Sequence, residues 1–226
     1  KWEKRDPIKQ LESTILNEKI MTQKEIDNIK LNIAEDINQN IQKAIESTFL
    51  TTSKEEELND VYSTKIENIT FKSTDKTHEL RYVDSIKESL FQTMKSDKTI
   101  LLMGQDIAEY GGVFKISEGF VEKFGKERVR NTPIIESGII GASLGLTLEG
   151  FKPIVEMQFA DFISCGMNQL INNLAKTHYR WGHSVNVTIR MPTGGGVNAG
   201  PFHSQNLESL FMHIPGLMIL YPSSPY

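Results

Sequence analysis

The spacing of apolar residues predicts two amphipathic helices at the start of the chain. Asp6 followed by Pro7 is a helix-start signal, and the apolar residues after it share one face. A second start lies at Thr22, where Glu25 completes a capping box. Isoleucines then recur at helical spacing and predict a helix of roughly 24 residues. The isoleucine stripe of this helix consists of Ile26, Ile29, Ile33, Ile37, Ile41 and Ile45.

This stripe needs a surface to pack against, because a helical hairpin buries little of it alone. The sequence leaves two candidates open: its own domain, or a partner chain or further domain. After the second helix the periodicity disappears among Thr, Ser, Lys and Glu, which predicts a linker with a short extended piece at Ile69–Phe71. We therefore predict a helical hairpin over residues 1–47, a linker over 48–77 and a third segment over 78–226.

The third segment alternates between helical and strand patterns. Helices are predicted at Tyr82–Ser96, near Glu136–Glu149 and at Ile163–Lys176. Short, apolar strands are predicted at Thr99–Met103, Pro153–Gln158, Val185–Met191 and Leu217–Tyr221. Such alternation predicts an α/β domain with a mostly parallel sheet.

Glycine separates the two parts of the chain, since all 16 glycines lie at or after Gly104. Ligands of parallel sheets bind at the edge where the strands end. Glycines and polar residues cluster where the predicted strands end, at Gly104–Asp106, Gln158–Asp161 and Thr193–His203. We expect any functional site to be assembled from these loops.

Charge and composition exclude several classes of function. The net charge is −4 and there is no basic stripe, so we expect no nucleic-acid partner. No run approaches the roughly 18 apolar residues of a membrane span, and the first residues do not resemble a signal peptide, so a cytoplasmic protein is expected. The single cysteine, Cys165, cannot form an internal disulfide, and its apolar neighbours predict a buried side chain.

Two glycine motifs are similar to known catalytic patterns. Gly141–Gly145 matches the nucleophile elbow of serine hydrolases, with Ser143 as the nucleophile. The few residues before Gly150 leave no room for the long helix that an elbow feeds, so close helix packing is the preferred explanation. The glycine-rich loop, Gly194–Gly200, lacks the Lys-Ser/Thr pair of a P-loop and is interpreted as a flexible loop. The five histidines show no metal-ligand spacing, so no metal site is predicted.

Two titratable residues stand out near these loops. Glu136 has apolar flanks at Pro133–Ile135 and Gly138–Ile140, which favours a desolvated carboxylate that shares a proton with a ligand nitrogen. A helix-start acid satisfied by backbone N–H groups is an equal alternative. His203 follows the glycine-rich loop and is either an acid–base group or a loop-anchoring side chain.

The third segment also carries eight short motifs in a fixed order. They are Met103–Ile107 with Tyr110–Phe114, Asn131–Glu136, Gln158–Phe162, Ala175–Arg180, Ile189–Pro192, His203–Gln205, Pro215–Leu217 and Tyr221–Tyr226. Together they resemble the β subunit of the thiamine-diphosphate-dependent 2-oxo acid dehydrogenases, over about His78 to Tyr226. The resemblance implies an α/β fold, a transketolase-like pyrimidine-binding domain built as a three-layer sandwich with a mostly parallel sheet.

The first fifty residues resemble another part of the same enzymes. Trp2 with Asp6–Ile8 and the paired helices is similar to the end of the α subunit. A fusion of α to β would explain both parts, and the chain is then expected to be an internal piece of a longer protein. It would start after the α cofactor-binding domain and stop before the β carboxyl-terminal domain.

The resemblance implies a role for each of five residues. Glu136 matches the catalytic glutamate that hydrogen-bonds a pyrimidine nitrogen of thiamine diphosphate. His203 matches the catalytic histidine implicated in substrate handling and acyl transfer. Ile134 and Gln158 match positions that line the pyrimidine pocket, and Phe162 matches an aromatic residue that stacks on the pyrimidine.

The expected reaction is oxidative decarboxylation of a 2-oxo acid, with transfer of the acyl group to a lipoyl-bearing acyltransferase component. Gln158–Phe162 looks more like the branched-chain enzymes, which favours 2-oxoisovalerate over pyruvate. Gln105 departs from the glutamate that many relatives carry there. The remaining alternatives are a non-catalytic assembly module and, less favoured, a serine hydrolase that uses Ser143.

The resemblance also implies which partners are needed. The sequence contains no Gly-Asp-Gly followed by asparagine, the motif that carries Mg²⁺ and diphosphate in these enzymes. An α-type cofactor-binding domain is therefore expected to hold Mg²⁺ and share the thiamine diphosphate, and this chain alone is expected to be inactive. A β-type carboxyl-terminal domain and assembly into a homo-oligomer are also expected.

Overall fold

A computed structural model describes residues 5–62 and 79–224 of the chain. The chain divides into two units, Lys1–Thr52 and Ser53–Tyr226. In its described residues the first unit contains the helices α1 (Pro7–Asn17) and α2 (Gln23–Glu46).

Both helices of the first unit begin where the caps predict. The Asp6 carboxylate accepts a hydrogen bond from the Ile8 N–H at 2.9 Å, and Thr22 and Glu25 form the predicted capping box. Ile26 is buried, whereas the other five isoleucines of the stripe are 45–70% exposed. Most of the stripe is therefore left uncovered by α1. Packing against its own domain and packing against a partner chain or further domain both stay predictions.

The second unit alternates helices and strands. Its described helices are α3 (Lys54–Asn59), α4 (Tyr82–Ser96), α5 (Phe120–Phe124), α6 (Glu136–Leu148) and α7 (Ala175–Trp181). Its described strands are β1 (Ile100–Gly104), β2 (Val129–Asn131), β3 (Lys152–Glu156) and β4 (Thr188–Arg190). Tight helical turns cover Ala160–Gly166, Gly195–Val197 and Glu208–Leu210, and a π-helical turn covers Gln169–Leu174.

The strands form a four-stranded parallel sheet in the order β2–β1–β3–β4. Gly104 pairs with Asn131 and Glu156, and Glu156 pairs with Arg190, so the strands end at one edge. Glycine is required at position 104, because a Cβ there would lie 2.5 Å from the carbonyl oxygen of Glu156. The predicted parallel sheet is confirmed, and its carboxyl edge carries the polar loops singled out in the sequence.

Helices cover both faces of the sheet and give three layers. On one face Leu102 packs in a core with Met94 of α4 and Phe120 of α5. On the other face Met103 packs in a second core with Ile140 of α6 and with residues of the helical segments up to α7. Successive residues of β1 therefore enter opposite cores, as strand geometry requires. The predicted three-layer α/β sandwich is confirmed.

Two predicted elements differ from the structure. Leu217–Tyr221 forms no strand: Gly216 before it has a φ of 91°, and all of its residues after Leu217 are exposed. An apolar run becomes a strand only when a sheet edge pairs with it. The helix predicted at Ile163–Lys176 is broken into a tight turn, a π-helical turn and the start of α7.

Other local elements escaped the sequence patterns. The predicted linker contains α3, which starts at a capping box of Ser53 and Glu56. The short elements α5 and β2 were not predicted, because they contain five and three residues respectively, too few to show a helical or strand period. The extended piece predicted at Ile69–Phe71 lies outside the described residues.

Cys165 is exposed, so the prediction of a buried cysteine is wrong. The tight turn around it repeats every three residues, which stacks Ala160, Ile163 and Gly166 on the buried face. Cys165 falls outside this row despite its apolar neighbours. Among the described residues, no helix is long and apolar enough to cross a membrane.

Candidate functional site

Glu136 opens α6 at the carboxyl edge of the sheet. Gln105 directly follows β1, is buried, and donates a hydrogen bond from Nε2 to Oε1 of Glu136 at 3.1 Å. Among the described residues, this is the one hydrogen bond of the Glu136 side chain. A side-chain amide therefore holds the carboxylate, and the alternative of a helix-start acid satisfied by backbone N–H groups is not observed.

The surroundings of Glu136 are less enclosed than the sequence predicts. Glu136 is half-buried, and Ile134 and Ile135 before it are 83% and 52% exposed. Desolvation of the carboxylate by its apolar flanks was therefore overestimated, because these isoleucines point away from the core. They leave an apolar surface beside a carboxylate, an arrangement typical of ligand or partner sites.

Gln158 lies two residues beyond β3 at the same edge. Its Nε2 donates to Oδ2 of Asp106, the second residue after β1, at 3.4 Å. Asp106 is exposed and has a positive φ of 54°. A bond this long between accessible groups is weak, so a ligand that binds Gln158 displaces it at little cost.

Phe159, which follows Gln158 in the chain, belongs to an aromatic cluster with Phe114, Phe162 and His203. The His203 ring centroid is 4.9 Å from that of Phe159 and 5.4 Å from that of Phe162, both edge to face. Phe114 lies 6.0 Å from Phe159. The fold thus brings together two predicted site residues, Phe162 and His203.

Asp161 lies between the two phenylalanines and was not recognised as a site residue in the sequence. It is 8% exposed, and its Oδ1 accepts hydrogen bonds from the Gln205 backbone N–H at 3.4 Å and from Gln205 Nε2 at 2.9 Å. Its Oδ2 is buried and has no hydrogen-bond partner among the described residues. The sequence signal that could have identified Asp161 is its position in an aromatic segment, between Phe159 and Phe162. An acid in such a segment is expected to be buried, and a buried carboxylate needs dedicated hydrogen-bond partners.

An ion pair between the half-buried Arg190 and the buried Glu156 joins the ends of β4 and β3 below these loops. Arg190 Nε donates to Oε2 of Glu156 at 2.9 Å, and a second Arg190 nitrogen contacts Oε1. Two-point pairing of this kind sets orientation as well as attraction. Gly112 of the neighbouring loop lies next to the pair and has a positive φ of 76°, a backbone conformation that favours glycine.

The predicted site residues fall into two groups at this edge. Glu136 lies with Gln105, and Phe162 lies with His203. In the described part of the chain, no hydrogen bond or ring contact joins Glu136 to His203. A ligand or a further chain would have to connect them.

Ser143 is not a nucleophile in this fold. It lies in the middle of α6, is completely buried, and donates from Oγ to the carbonyl oxygen of Ile140 at 2.6 Å. The hydrolase alternative is therefore wrong, because the elbow requires an exposed serine between a strand and a helix. Within the described residues, no cluster of three or more His, Cys, Asp or Glu side chains could hold a metal ion.

Comparison with known proteins agrees with this architecture. Residues 78–226 match the sequence profile of the family described as transketolase, pyrimidine binding domain. The chain belongs to this family. The pyrimidine-binding domain that the eight motifs imply is thereby confirmed, and the α/β domain is of the transketolase type.

Relatives of this pyrimidine-binding domain include β subunits of 2-oxo acid dehydrogenases. The 2-oxoisovalerate dehydrogenase subunit beta of Bacillus subtilis is 43% identical over 149 residues, which are 65% of this chain and 46% of the relative. The pyruvate dehydrogenase E1 component subunit beta of Staphylococcus aureus is 39% identical over 150 residues, 66% of this chain and 46% of the relative. The chain thus spans about half the length of these curated relatives.

One similar solved structure is titled as a split gene transketolase, an inactive beta4 tetramer. It is 19% identical, has a TM-score of 0.44, and is matched over 58% of this chain and 40% of its own.

Proposed function

We propose that the pyrimidine-binding domain supplies the aminopyrimidine half of a thiamine diphosphate site in a 2-oxo acid dehydrogenase. The observation that carries this proposal is the Glu136 carboxylate, which is held by Gln105 through one oxygen only and lies beside exposed apolar surface. A carboxylate with a spare oxygen is suited to hydrogen-bond a ring nitrogen.

The side chains at the edge fit such a ring. Ile134 offers apolar contact before Glu136, and Phe162 offers an aromatic face for stacking. Gln158 offers an amide whose present bond to Asp106 is weak. Ile134, Glu136, Gln158 and Phe162 would together hold the pyrimidine, with Gln105 fixing the orientation of Glu136.

Thiamine diphosphate, when bound, supplies the carbanion chemistry that decarboxylation of a 2-oxo acid requires. Glu136 would hold a proton between Oε2 and the ring nitrogen, and so keep the ring in its reactive form. His203, supported by the aromatic cluster, would bind the substrate or move a proton during acyl transfer. Both residues are proposed as catalytic.

The proposed whole enzyme contains more than this chain. An α-type domain would hold Mg²⁺ and the diphosphate, a β-type carboxyl-terminal domain would follow, and a lipoyl-bearing acyltransferase component would accept the acyl group. The relatives named for 2-oxoisovalerate and pyruvate support either substrate, and the higher identity to the former favours 2-oxoisovalerate. The described residues without these partners are proposed to be inactive, and the active form to be a homo-oligomer.

The test uses the full-length protein assembled with its α-type domain, assayed for carbon dioxide release from 2-oxoisovalerate and from pyruvate. Glu136→Gln keeps the shape of the side chain but removes its ionisable proton, so kcat should fall by roughly 10²–10⁴-fold. The exposed Glu149→Gln, at the end of α6, is the matched control and should behave as wild type. Retention of full activity by Glu136→Gln would overturn the proposal.

A second candidate function is a non-catalytic assembly module. The exposed isoleucine stripe favours it, because five isoleucines on one helix are a surface for a partner. Under this alternative the wild-type assembly decarboxylates neither 2-oxo acid, and substitution of Ile33 and Ile37 by glutamine dissociates it. Decarboxylation by the wild type would reject this alternative.

A further inference from the structure

The position of His203 depends on what holds the chain after the glycine-rich loop. Gly194 and Gly200 have positive φ values of 99° and 76°, and all loop residues after Gly194 are exposed. Glycine gives such a segment wide conformational freedom. His203 comes three residues after the loop ends, so the orientation of its ring depends on its contacts with Phe159 and Phe162 and on how the following residues are anchored.

Gln205 provides this anchor through both of its backbone polar groups and its side chain. The backbone N–H and Nε2 both donate to Oδ1 of Asp161, at 3.4 Å and 2.9 Å. The backbone oxygen accepts from Oγ1 of Thr193 at 2.6 Å. Because Thr193 precedes the glycine-rich loop and Gln205 follows it, these bonds tie the two ends of the loop together.

Asp161 belongs to the segment that also contacts the His203 ring. Phe159 and Phe162, on either side of it in sequence, lie 4.9 Å and 5.4 Å from that ring. The Ala160 N–H donates to the carbonyl oxygen of Pro192 at 2.8 Å, which fixes the segment to the end of β4. The short segment from Phe159 to Phe162 therefore contacts both the His203 ring and Gln205.

We propose that Asp161 is a positioning residue for His203, which it orients by anchoring Gln205 from a buried position. The inference rests on the proposed catalytic role of His203. Among the described residues, the hydrogen bonds of the Asp161 side chain go to Gln205 and none goes to His203, so Asp161 acts through the backbone. The support comes mainly from the 2.9 Å bond of Gln205 Nε2 to a carboxylate that is only 8% exposed, and the 3.4 Å bond of the backbone N–H adds a weaker second contact.

The first test needs no enzyme activity and uses the whole chain. Hydrogen exchange is followed by mass spectrometry in peptides covering residues 193–206 and, as reference, in β1 and α6. Asp161→Ala should accelerate exchange at residues 193–206 only, while Asp161→Asn, which keeps an oxygen acceptor for Gln205, stays near wild type. Gln205→Ala removes the shorter of the two bonds to Asp161, from Nε2 at 2.9 Å, and keeps the backbone N–H bond. It should accelerate exchange in the same residues, though less than Asp161→Ala, and it provides the test if Asp161→Ala fails to fold. Unchanged exchange at residues 193–206 in Gln205→Ala would overturn the proposal.

The second test uses the full-length enzyme and separates orientation from binding. Asp161→Ala should lower kcat by roughly 10²-fold, the scale of a small misplacement of a reacting group, with KM nearly unchanged. Asp161→Asn should restore most of kcat, and Glu149→Ala is the neutral control. The double variant of Asp161→Ala and Gln205→Ala should be no slower than Asp161→Ala alone, because both changes remove the same anchor. A wild-type enzyme that turns over no 2-oxo acid would refute the proposed function. The hydrogen-exchange experiment would still show whether Asp161 anchors Gln205. Equal activity of Asp161→Ala and wild type would overturn the positioning role.

Discussion

Gln105 directly follows β1 and Glu136 is the first residue of α6, and one hydrogen bond of 3.1 Å joins them at the carboxyl edge of the sheet. The donor is buried and the acceptor half-buried, so the bond connects the core to the candidate site. The amide thus fixes one carboxylate oxygen and leaves the other available.

Replacement of Gln105 by methionine should destabilise the domain. The change keeps the volume but removes the donor, so the free energy of unfolding in urea should fall by about 1.5 kcal/mol, the scale of a bond to a charged group. Gln158→Met is the matched control, because its bond is long and accessible, and should cost less than about 0.5 kcal/mol. An equal loss of unfolding free energy in the two variants would show that the Gln105–Glu136 bond is no stronger than the Gln158–Asp106 bond.

Two glycine-to-alanine changes should have opposite signs. At Gly104 the new Cβ would lie 2.5 Å from a carbonyl oxygen of β3, and neither strand can move without loss of pairing. Gly104→Ala should therefore lower the free energy of unfolding by about 3 kcal/mol. Gly145 in α6 has open space around its Cβ, so Gly145→Ala should raise it by about 0.5–1 kcal/mol. Thermal and urea unfolding of both variants measure the contrast.

Arg128 ties the end of α4 to the start of β1. Its guanidinium donates to the carbonyl oxygens of Met94 at 2.9 Å, Asp97 at 2.7 Å and Ile100 at 3.0 Å. Lysine cannot reach all three, so Arg128→Lys should cost about 2 kcal/mol of unfolding free energy. Arg130→Lys, two residues further along in β2 and in an exposed pair with Glu127, should change it by less than about 0.5 kcal/mol. Urea titrations with unchanged slopes would validate the comparison.

Asp97 should titrate at unusually low pH. The hydrogen bond from Lys152 at 2.7 Å, followed by those from Thr99, holds the pKa of Asp97 well below its ordinary value of 3.8. A depressed pKa stabilises the fold above the unfolded value, and this contribution is lost as the pH falls through the folded value. Lys152→Met should raise the pKa of Asp97 more than Thr99→Val does, as measured by carboxyl NMR titration. The reverse order would show that the lysine is not the main cause.

Tyr179 should ionise at unusually high pH. It donates a hydrogen bond to a carboxylate oxygen of Glu57 in α3, which raises the pKa of Tyr179 above 10.0, with a minor contribution from Asp60. A raised pKa stabilises the fold below the unfolded value, and the contribution disappears as the pH rises through the folded value. Glu57→Gln should lower the tyrosinate midpoint in ultraviolet titrations, after subtraction of Tyr179→Phe. Asp60→Asn should lower it less, and no shift in Glu57→Gln would refute the contact.

Sequence patterns predicted what depends on local spacing. The capping box at Thr22, the helix of Glu136 and the alternation of helices with strands all follow from neighbouring residues. The order of strands and the partner of each site residue do not. Gln105 meets Glu136, and Asp161 meets Gln205, only because the parallel sheet brings distant loops to one edge.

Exposure was the property that sequence patterns predicted least well. Ile134 and Cys165 are exposed although their neighbours are apolar, and the apolar run Leu217–Tyr221 forms no strand. Apolar character predicts the tendency to be buried, but burial also requires a neighbouring element. Ile134 has no such neighbouring element among the described residues, and a ligand or another chain would have to cover it. Its proposed role in the pyrimidine pocket therefore came from the family resemblance and not from the pattern of apolar residues.

The all-parallel pairing of β1 to β4 has a consequence for the order of events during folding. Every described strand pair joins segments separated by a crossover, so no pair can form as a local hairpin. Chains of this topology fold slowly, because a loop must close before its pairing adds any stability. The hydrogen bond between Gln105 and Glu136 can form only after β1 has paired with β2. The bonds between Asp161 and Gln205 can form only after the residues that follow β4 have joined the fold. During synthesis, α1 and α2 emerge complete while the candidate site does not yet exist.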